Sequence, residues 1–392
     1  MELDIEKIRS LTPGCTNKLF FNSAGASLMP DIVIKKIDEH LNFEKELGGY
    51  KAAENRVNEI NGFYYEVAQL INCKASNVAF AHDATDAYLK ALSSIAFKEN
   101  DIVITTDDDY TSNQIQFLSL KKRFGISIKR INTRPNGDLD IDHFESLIKQ
   151  ATPKLVSVTH VPTNSGLVQD VESIGTLCEK YDILYLVDAC QSVGQLSVDV
   201  SKIKCDFLSA TGRKFLRGPR GTGFLFVSDK VLNRGFAPLF VDGGGAVWTG
   251  ESQFRIDETA KRFETWEYPY ALILGFKEAL KYLNNIGIEH VEAYNNNIIK
   301  RLRENLAVVK DVVMYDKGTV TCNILTFLKT GKTVDEIKEH LEKNAVFFSI
   351  SQKEWGLIDF RKKGVEAVIR ISPHYFNTIR EVDSLSEIIN DI

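Results

Sequence analysis

Two ionisable residues stand where the sequence predicts a buried strand to end or a turn to join two strands. Asp188 ends the apolar run ILYLVD, where a buried carboxylate needs a cationic partner unless it caps a helix. Lys214 lies in TGRKFLRGPRGTGFLFV, close to Thr211 and Arg213. Neighbouring positive charge lowers the pKa of a lysine toward the free amine that forms imines, and cations with a hydroxyl can hold a phosphate. A solvated loop lysine is the ordinary alternative.

A polar turn, AHDATDAYLK, follows the predicted strand SNVAFA and enters a predicted helix. Its free N–H groups and the Thr85 hydroxyl can bind an anion, with Ala84 and Asp86 as further candidate contacts, although an ordinary helix start has the same pattern. Asp188 and Lys214 are one strand-turn unit apart, so both can face a crevice at the carboxyl edge of the sheet. Together these segments indicate a pyridine-ring cofactor that carries a phosphate.

The elements that would position these residues alternate in type between about residues 75 and 227. Short β-rich runs separated by amphipathic stretches predict an α/β fold with a mostly parallel sheet covered by helices. The predicted strands are 101–106, 126–131, 155–160, 183–189, 206–210 and 223–227.

The remainder of the chain predicts a second, smaller unit. A long helical stretch at 267–307 precedes further strands and helices, which indicates a smaller α+β domain. The expected organisation is an N-terminal arm (1–20), a large cofactor-binding domain (21–260) and a small C-terminal domain (261–392). The glycine-rich segment 241–250 predicts either a mobile loop or a plain surface turn.

Composition excludes several classes of function. The 392 residues include 48 Lys and Arg against 53 Asp and Glu, a net charge of −5 without a block of like charge, so no nucleic-acid or anionic-membrane partner is expected. Neither a signal peptide nor an apolar run of membrane-spanning length is seen, which predicts a cytoplasmic protein. The six cysteines are scattered singly, so we expect reduced core thiols and no metal site.

The segment VDACQS, followed by CDFLSATGRKFLRGPRGTGFL, resembles the core signature of class V aminotransferases, the cysteine desulfurase-like branch of fold type I enzymes that use pyridoxal 5′-phosphate (PLP). FFNSAGASLMP, THVPTNSG and VIRISPHYFNTIREVD extend the resemblance over nearly the whole chain. The resemblance implies that Lys214 binds PLP as an imine, that Asp188 pairs with the pyridine nitrogen and that Gln191 contacts the phenolic oxygen. The phosphate contacts that it implies are Thr85, Thr211 and Arg213.

The resemblance also implies residues around an amino-acid substrate. Arg370, in AVIRIS, would bind the substrate carboxylate with its guanidinium fork, and a structural ion pair is the alternative. The other candidates are Tyr110, which either stacks on the cofactor ring or lies in the core; Thr163 or Asn164 as a contact of the cofactor oxygen; and Asn22, Ala24 and Tyr50 on the substrate side, Tyr50 having helix packing as its alternative.

The expected reaction is inferred from the positions at which this sequence differs from particular subfamilies. Cysteine desulfurases use a cysteine on a loop shortly before the carboxylate-binding arginine, and residues 345–370 contain none. ELGGYKAAE, RFETWE and RISPHYFNT are similar to the carbon–sulfur lyase group that includes hercynylcysteine sulfoxide lyase, which implies β-elimination from a cysteine S-conjugate or sulfoxide, with pyruvate and ammonia as products, in ergothioneine biosynthesis. A class V aminotransferase or an epimerase is the nearest alternative, followed by a cysteine desulfurase or selenocysteine lyase and then a non-catalytic scaffold.

The resemblance further implies a homodimer in which RFETWE (262–267) contributes to the partner's site. Trp266 could equally belong to the core. Arg217 or Arg220 is a candidate for binding the sulfur substituent, with a surface or dimer contact as the alternative.

Overall fold

The structure is a computed structural model that describes residues 3–392. The helices are α1 Ile5–Ser10, α2 Asp31–Leu47, α3 Gly49–Asn55, α4 Val57–Ile71, α5 Ala84–Ser93, α6 Thr111–Phe124, α7 Ile141–Gln150, α8 Val171–Lys180, α9 Val200–Ile203, α10 Asp229–Asn233, α11 Tyr270–Ile286, α12 Ile288–Ala307, α13 Val334–Lys343, α14 Leu357–Lys363 and α15 Ile379–Asn390. The strands are β1 Leu19–Phe20, β2 Val78–Ala81, β3 Ile102–Thr105, β4 Ser127–Arg130, β5 Leu155–Thr159, β6 Leu184–Asp188, β7 Phe207–Thr211, β8 Gly223–Val227, β9 Ala246–Gly250, β10 Gln253–Ile256, β11 Val312–Met314, β12 Leu325–Lys329, β13 Val346–Phe347, β14 Ser349–Gln352 and β15 Ala367–Ile371.

A seven-stranded sheet in the order β2-β8-β7-β6-β5-β3-β4 forms the centre of the fold. Within it, β8 runs antiparallel to its neighbours β2 and β7, and the pairings from β7 to β4 are parallel. The sequence predicted this α/β arrangement, and the structure confirms it. Every residue of β5, β6 and β7 is buried because helices cover both faces of the sheet.

The two faces of the sheet pack against different helices. Along β6, Tyr185 and Val187 join the core beneath α4, α7, α8 and α11, whereas Leu184 and Leu186 join the core beneath α5 and α6. Alternate residues of a strand point to opposite faces, so one short apolar run supplies both cores. This burial fixes the register of the strand whose last residue is Asp188.

A four-stranded antiparallel sheet, β11-β12-β15-β14, lies in the C-terminal part of the chain with α12, α13 and α15. The predicted helical stretch 267–307 is two helices separated at Gly287, whose φ of +89° favours glycine. Strand β1 pairs with β13, which ties the N-terminal segment to this region. The domain bounds 1–20, 21–260 and 261–392 stay a prediction, and residues 1 and 2 of the arm lie outside the described range.

One of the two expectations for the glycine-rich segment 241–250 was a mobile loop, and the structure does not show one. The second half of this segment is strand β9, which forms an antiparallel hairpin with β10. A Cβ atom at Gly244 would lie 2.5 Å from the carbonyl carbon of Thr265, so the glycine permits a close approach of the two backbones. Within residues 3–392, no helix combines the length and the apolar character needed to cross a membrane.

Candidate active site

A cavity of about 310 Å³ opens at the carboxyl ends of the central parallel strands. The last residues of β5, β6 and β7 (Thr159, Asp188 and Thr211) all line it. Ligands of open α/β sheets bind at this edge because the helices and loops diverge there. The lining residues are Asp83, Ala84, Thr85, Tyr110, Asn113, Thr159, Val161, Thr163, Asp188, Cys190, Gln191, Thr211, Arg213, Lys214, Arg220 and Gly221.

Lys214 lies in the turn after β7 and is 8% exposed. Burial lowers the pKa of its amine, Arg213 and Arg370 act in the same direction, and the Cys190 and Asp188 groups oppose them. A lowered pKa increases the fraction of free amine, which is the form that attacks a carbonyl. The structure therefore brings the predicted lysine to the cavity in an environment that suits imine chemistry.

Asp188 is 4% exposed and has two neutral hydrogen-bond donors. Asn113 Nδ2 donates to Oδ2 over 3.0 Å, and the backbone N–H of Cys190 donates to Oδ1 over 2.9 Å. Burial raises the pKa of the carboxyl group. A cation in the cavity would stabilise the buried carboxylate, and a protonated pyridine nitrogen is one that fits.

The start of α5, where the sequence predicts an anion site, lies at the cavity. Ala84 and Thr85 line the cavity beside Thr211 and Arg213. Asp86 does not line the cavity. Its carboxylate accepts hydrogen bonds from His82 N at 3.0 Å and from Lys90 Nζ at 2.9 Å. The structure gives the Asp86 side chain a helix-start role and does not support the predicted cofactor contact.

Gln191, Thr163 and Arg370 form one hydrogen-bonded group at the edge of the cavity. Gln191 Nε2 donates to Thr163 Oγ1 at 2.9 Å and to the carbonyl of Ala24 at 3.1 Å. Arg370 donates to Thr163 Oγ1 at 2.5 Å, and burial lowers the pKa of its guanidinium to about 10. Among the described residues, buried Gln191 Oε1, Arg370 Nε and Asn22 Oδ1 have no hydrogen-bond partner. A ligand in the adjoining cavity would satisfy unpartnered atoms of this kind.

The structure separates several candidates that the sequence left open. Thr163 lines the cavity, whereas the Asn164 carbonyl accepts a hydrogen bond from Lys363. Tyr110 lines the cavity at 37% exposure, so it is not a core tyrosine. Tyr50, on α3, is 78% exposed and does not line the cavity.

The two arginines proposed for the sulfur substituent differ. Arg220 lines the cavity. Arg217 is 1% exposed, donates to Leu28 O at 2.8 Å and to Thr12 Oγ1 at 2.6 Å, and stacks on Tyr375. Arg217 is therefore a buried residue outside the cavity lining, and the alternative of a surface position is wrong.

The class V aminotransferase model, described as "Aminotransferase class-V", matches residues 19–385. The chain belongs to this family. A curated relative, the "Probable cysteine desulfurase" of Methanothermobacter thermautotrophicus, is 25% identical over 99% of this chain and 98% of its own length. The apo structure of cysteine desulfurase from Thermococcus onnurineus superposes with a TM-score of 0.91 and 23% identity, covering 100% of this chain and 98% of that one. A mutant of C-DES with glycine covalently linked to its PLP cofactor gives a TM-score of 0.88 and 20% identity, covering 98% and 99%.

These findings establish a fold type I, PLP-dependent enzyme of the class V family, and they correct one expectation. The relatives from Methanothermobacter thermautotrophicus and Pyrococcus abyssi and the Thermococcus onnurineus structure are named cysteine desulfurase, whereas the sequence interpretation ranked a hercynylcysteine sulfoxide lyase of ergothioneine biosynthesis above that activity. That ranking is wrong. The misleading signal was a set of short motifs, which are shared across the family more widely than any one substrate.

PLP fits the residues present. Lys214 would hold it covalently, Asp188 would meet the pyridine nitrogen, and the N–H groups at the start of α5 would face the phosphate. Among residues 3–392, no group of three or more metal-ligating side chains is found.

Two of the lining residues that the sequence did not predict, Asn113 and Cys190, donate hydrogen bonds to Asp188. Asn113 donates to both Asp188 and Asp109, at 3.0 Å in each case, and so orients the carboxylate. Only its place three residues after Tyr110, at the start of α6, could have suggested this. Cys190 was expected in the core but lines the cavity, where burial raises the pKa of its thiol.

Proposed function

We propose that the protein cleaves the carbon–sulfur bond of L-cysteine with PLP as cofactor and transfers the sulfur to a thiol from outside the chain. The observation that carries this proposal is the convergence of Lys214 and Asp188 on one cavity, whose lining residue Thr163 accepts a hydrogen bond from Arg370. The relatives' name, cysteine desulfurase, supports the choice of substrate.

PLP, when bound, withdraws electrons from the substrate Cα. Lys214 holds the cofactor and, once its amine is free, moves the proton at Cα. Asp188 keeps the ring nitrogen protonated, with Asn113 orienting the carboxylate. Arg370 binds the substrate carboxylate through its guanidinium fork.

The other cofactor contacts in this proposal follow the cavity lining. Gln191 and Tyr110 line the cavity, so Gln191 would contact the phenolic oxygen of PLP and Tyr110, at the start of α6, would lie against its ring. The phosphate is held by Thr85, Thr211 and Arg213 together with the N–H groups at the start of α5.

The sulfur acceptor comes from outside because none of the cysteines in the described part of the chain is a suitable thiol. Residues 345–370 contain no cysteine. Within this segment, the turn Lys353–Trp355 contacts α6, because Thr111 Oγ1 donates a hydrogen bond to Glu354 O over 3.2 Å. Cys190 is the thiol in the cavity lining, and its raised pKa disfavours the nucleophilic thiolate.

The proposed reaction balances with an external thiol. The acceptor thiolate attacks the cysteine sulfur, a sulfur–sulfur bond forms, and the carbon–sulfur bond breaks. The electron pair of the broken bond stays with the carbon, which takes up a proton, so cysteine and a thiol give alanine and a persulfide.

Product analysis tests this proposal. PLP-loaded protein would be incubated with L-cysteine, with and without excess dithiothreitol, and alanine, sulfide, pyruvate and ammonia would be measured, with Lys214→Ala as the background. We expect sustained alanine formation that depends on the added thiol. Pyruvate and ammonia in place of alanine, or no product from cysteine, would contradict the proposal.

We also propose that the protein forms a homodimer with its active site near the interface. Trp248 and Phe254 are paired across the β9–β10 hairpin and are 79% and 61% exposed, and Trp266 is 64% exposed. We call these three residues the hairpin face. The backbone N–H of Trp266 donates to Asp242 Oδ1 at 2.5 Å, so the segment 262–267 adjoins the turn before the hairpin. Exposed aromatic groups of this size are typical of protein interfaces.

A further inference from the structure

Four side chains of alternating charge run from the loop after β3 to helix α14. Lys317 Nζ lies 2.6 Å from Asp108 Oδ1 and 2.8 Å from Asp359 Oδ1. Lys363 Nζ lies 2.8 Å from Asp359 Oδ2 in an ion pair. Two carboxylates and two ammonium groups give a neutral set, which we call the ion chain.

Both carboxylates of the ion chain are buried, so their charges interact strongly with the neighbouring ammonium groups. Asp108 and Asp359 are 4% and 3% exposed. Lys363 and Lys317 hold the pKa of Asp359 below its usual range although burial opposes them. Burial raises the pKa of Asp108 to about 6 against the attraction of Lys317. Buried charges are tolerated when each has a partner, so the loss of one member would disturb the others.

The last member of the ion chain also contacts the edge of the active site. Lys363 Nζ donates to the carbonyl of Asn164 over 2.6 Å, and Thr326 Oγ1 donates to the same oxygen over 3.2 Å. Gly356, at the start of α14, approaches Asn164 so closely that an added Cβ would collide with its Nδ2. The turn Thr163–Asn164 is thus held by α14 as well as by β12.

This turn carries the group that contacts Arg370. Arg370 donates to Thr163 Oγ1 over 2.5 Å and to the Thr163 carbonyl over 3.4 Å. Gln191 donates to the same hydroxyl over 2.9 Å. A displacement of the turn would therefore move the guanidinium of Arg370, whose Nε has no hydrogen-bond partner among the described residues.

We propose that Lys363 is a positioning residue for recognition of the substrate carboxylate. It fixes the Thr163–Asn164 turn and, through Thr163, the guanidinium of Arg370, while the ion chain holds Lys363 in place. The inference rests on the proposed function in one respect, the role of Arg370 in binding the carboxylate. It requires nothing of the carbon–sulfur chemistry.

The test compares two sulfur-free ligands of the PLP-loaded protein. L-Alanine has a carboxylate and ethylamine has none, and each is titrated while following the visible absorbance of the lysine-bound cofactor. The variants are Lys363→Met and Lys363→Arg. Lys362→Met is the matched control, because Lys362 lies on the same helix and pairs with Asp107 at 2.7 Å, but its side chain is 51% exposed.

We expect Lys363→Met to weaken L-alanine binding about tenfold or more, the usual effect of losing a hydrogen bond from a charged group, and to change ethylamine binding less than about twofold. Lys363→Arg should recover most of the affinity for L-alanine. Lys362→Met should leave both affinities unchanged.

Equal losses for both ligands, or unchanged L-alanine binding, would overturn the proposal. If Lys363→Met yields no folded protein, Lys363→Gln, which keeps a donor without the charge, should give an intermediate loss for L-alanine alone. A wild-type protein that binds both ligands equally would remove the carboxylate site and the proposal with it. Failure to cleave cysteine, with the L-alanine effect intact, would affect only the proposed function.

Discussion

Replacing Asp188 with asparagine changes one charge in the buried centre of the active site. The carboxylate is 4% exposed and accepts hydrogen bonds from Asn113 and the Cys190 N–H, both neutral. Asparagine has nearly the same shape and can still accept from one of them. The substitution therefore removes the charge opposite the cofactor ring nitrogen and leaves the packing almost unchanged.

The expected effect follows from the cost of leaving a buried cation unpaired. Removing one partner of a buried ion pair costs about 3–5 kcal/mol, and each 1.36 kcal/mol is tenfold in rate, so we expect turnover to fall about 10²- to 10⁴-fold. The loss should be in kcat, because the ring nitrogen acts on the reacting bond and the substrate carboxylate is bound elsewhere.

The assay is alanine formation from L-cysteine per mole of bound PLP, so that altered cofactor affinity is separated from altered chemistry. Asp206→Asn is the matched control: Asp206 is also 4% exposed, accepts from Tyr185 N at 3.0 Å and pairs with Lys230 at 3.1 Å, but it precedes β7 at the opposite edge of the sheet. We expect the control to retain activity within about twofold. An Asp188→Asn protein as active as the control would contradict the pairing of Asp188 with the cofactor ring nitrogen.

Three further perturbations have defined outcomes. Lys214→Ala should retain PLP only by noncovalent contacts and lose at least about 10³-fold in alanine formation, measured by absorbance and product assay. His160, whose pKa burial lowers to about 4, takes up a proton more readily when unfolded. Its contribution to the free energy of unfolding is therefore complete above pH 6.5 and declines as the pH falls from about 6.5 to about 4, with a loss of about 2 kcal/mol by pH 5. Urea unfolding at pH 7.5 and 5 checks this, and a His160→Asn protein with the same pH dependence would contradict it. Trp248→Glu on the hairpin face should sediment as a 44.1 kDa monomer, whereas the wild type should have about twice that mass; a monomeric wild type would disprove the dimer.

The sequence predicted the central sheet closely because its strands are short apolar runs with clear ends. Strand β8 has its predicted bounds, and the strand predicted at 183–189 spans Leu184–Asp188. Such runs are decided by local composition and burial on both faces. The hairpin of β9 and β10 and helix α14 were not predicted, because glycine-rich or highly charged segments adopt structure through contacts made by distant parts of the chain.

In the candidate site, too, residues at the ends of clear strands were predicted and residues that depend on distant contacts were not. Lys214 and Asp188 could be predicted because they stand at the ends of recognisable strands, and both line the cavity. Asn113 could not, because its role depends on a hydrogen bond to a residue 75 positions away. The reaction was misjudged for a related reason: motifs define the cofactor and its contacts, while the substrate depends on side chains that only the folded site brings together.

The most direct test of the account is the point at which the cofactor attaches. PLP-loaded protein would be treated with L-cysteine or buffer, reduced with borohydride, digested and analysed by peptide mass spectrometry. We expect the buffer sample to carry the reduced cofactor on the peptide that contains Lys214, and cysteine to remove most of this label. A label on another lysine, or one that cysteine leaves unchanged, would contradict the assignment of Lys214 and the cavity around it as the active site.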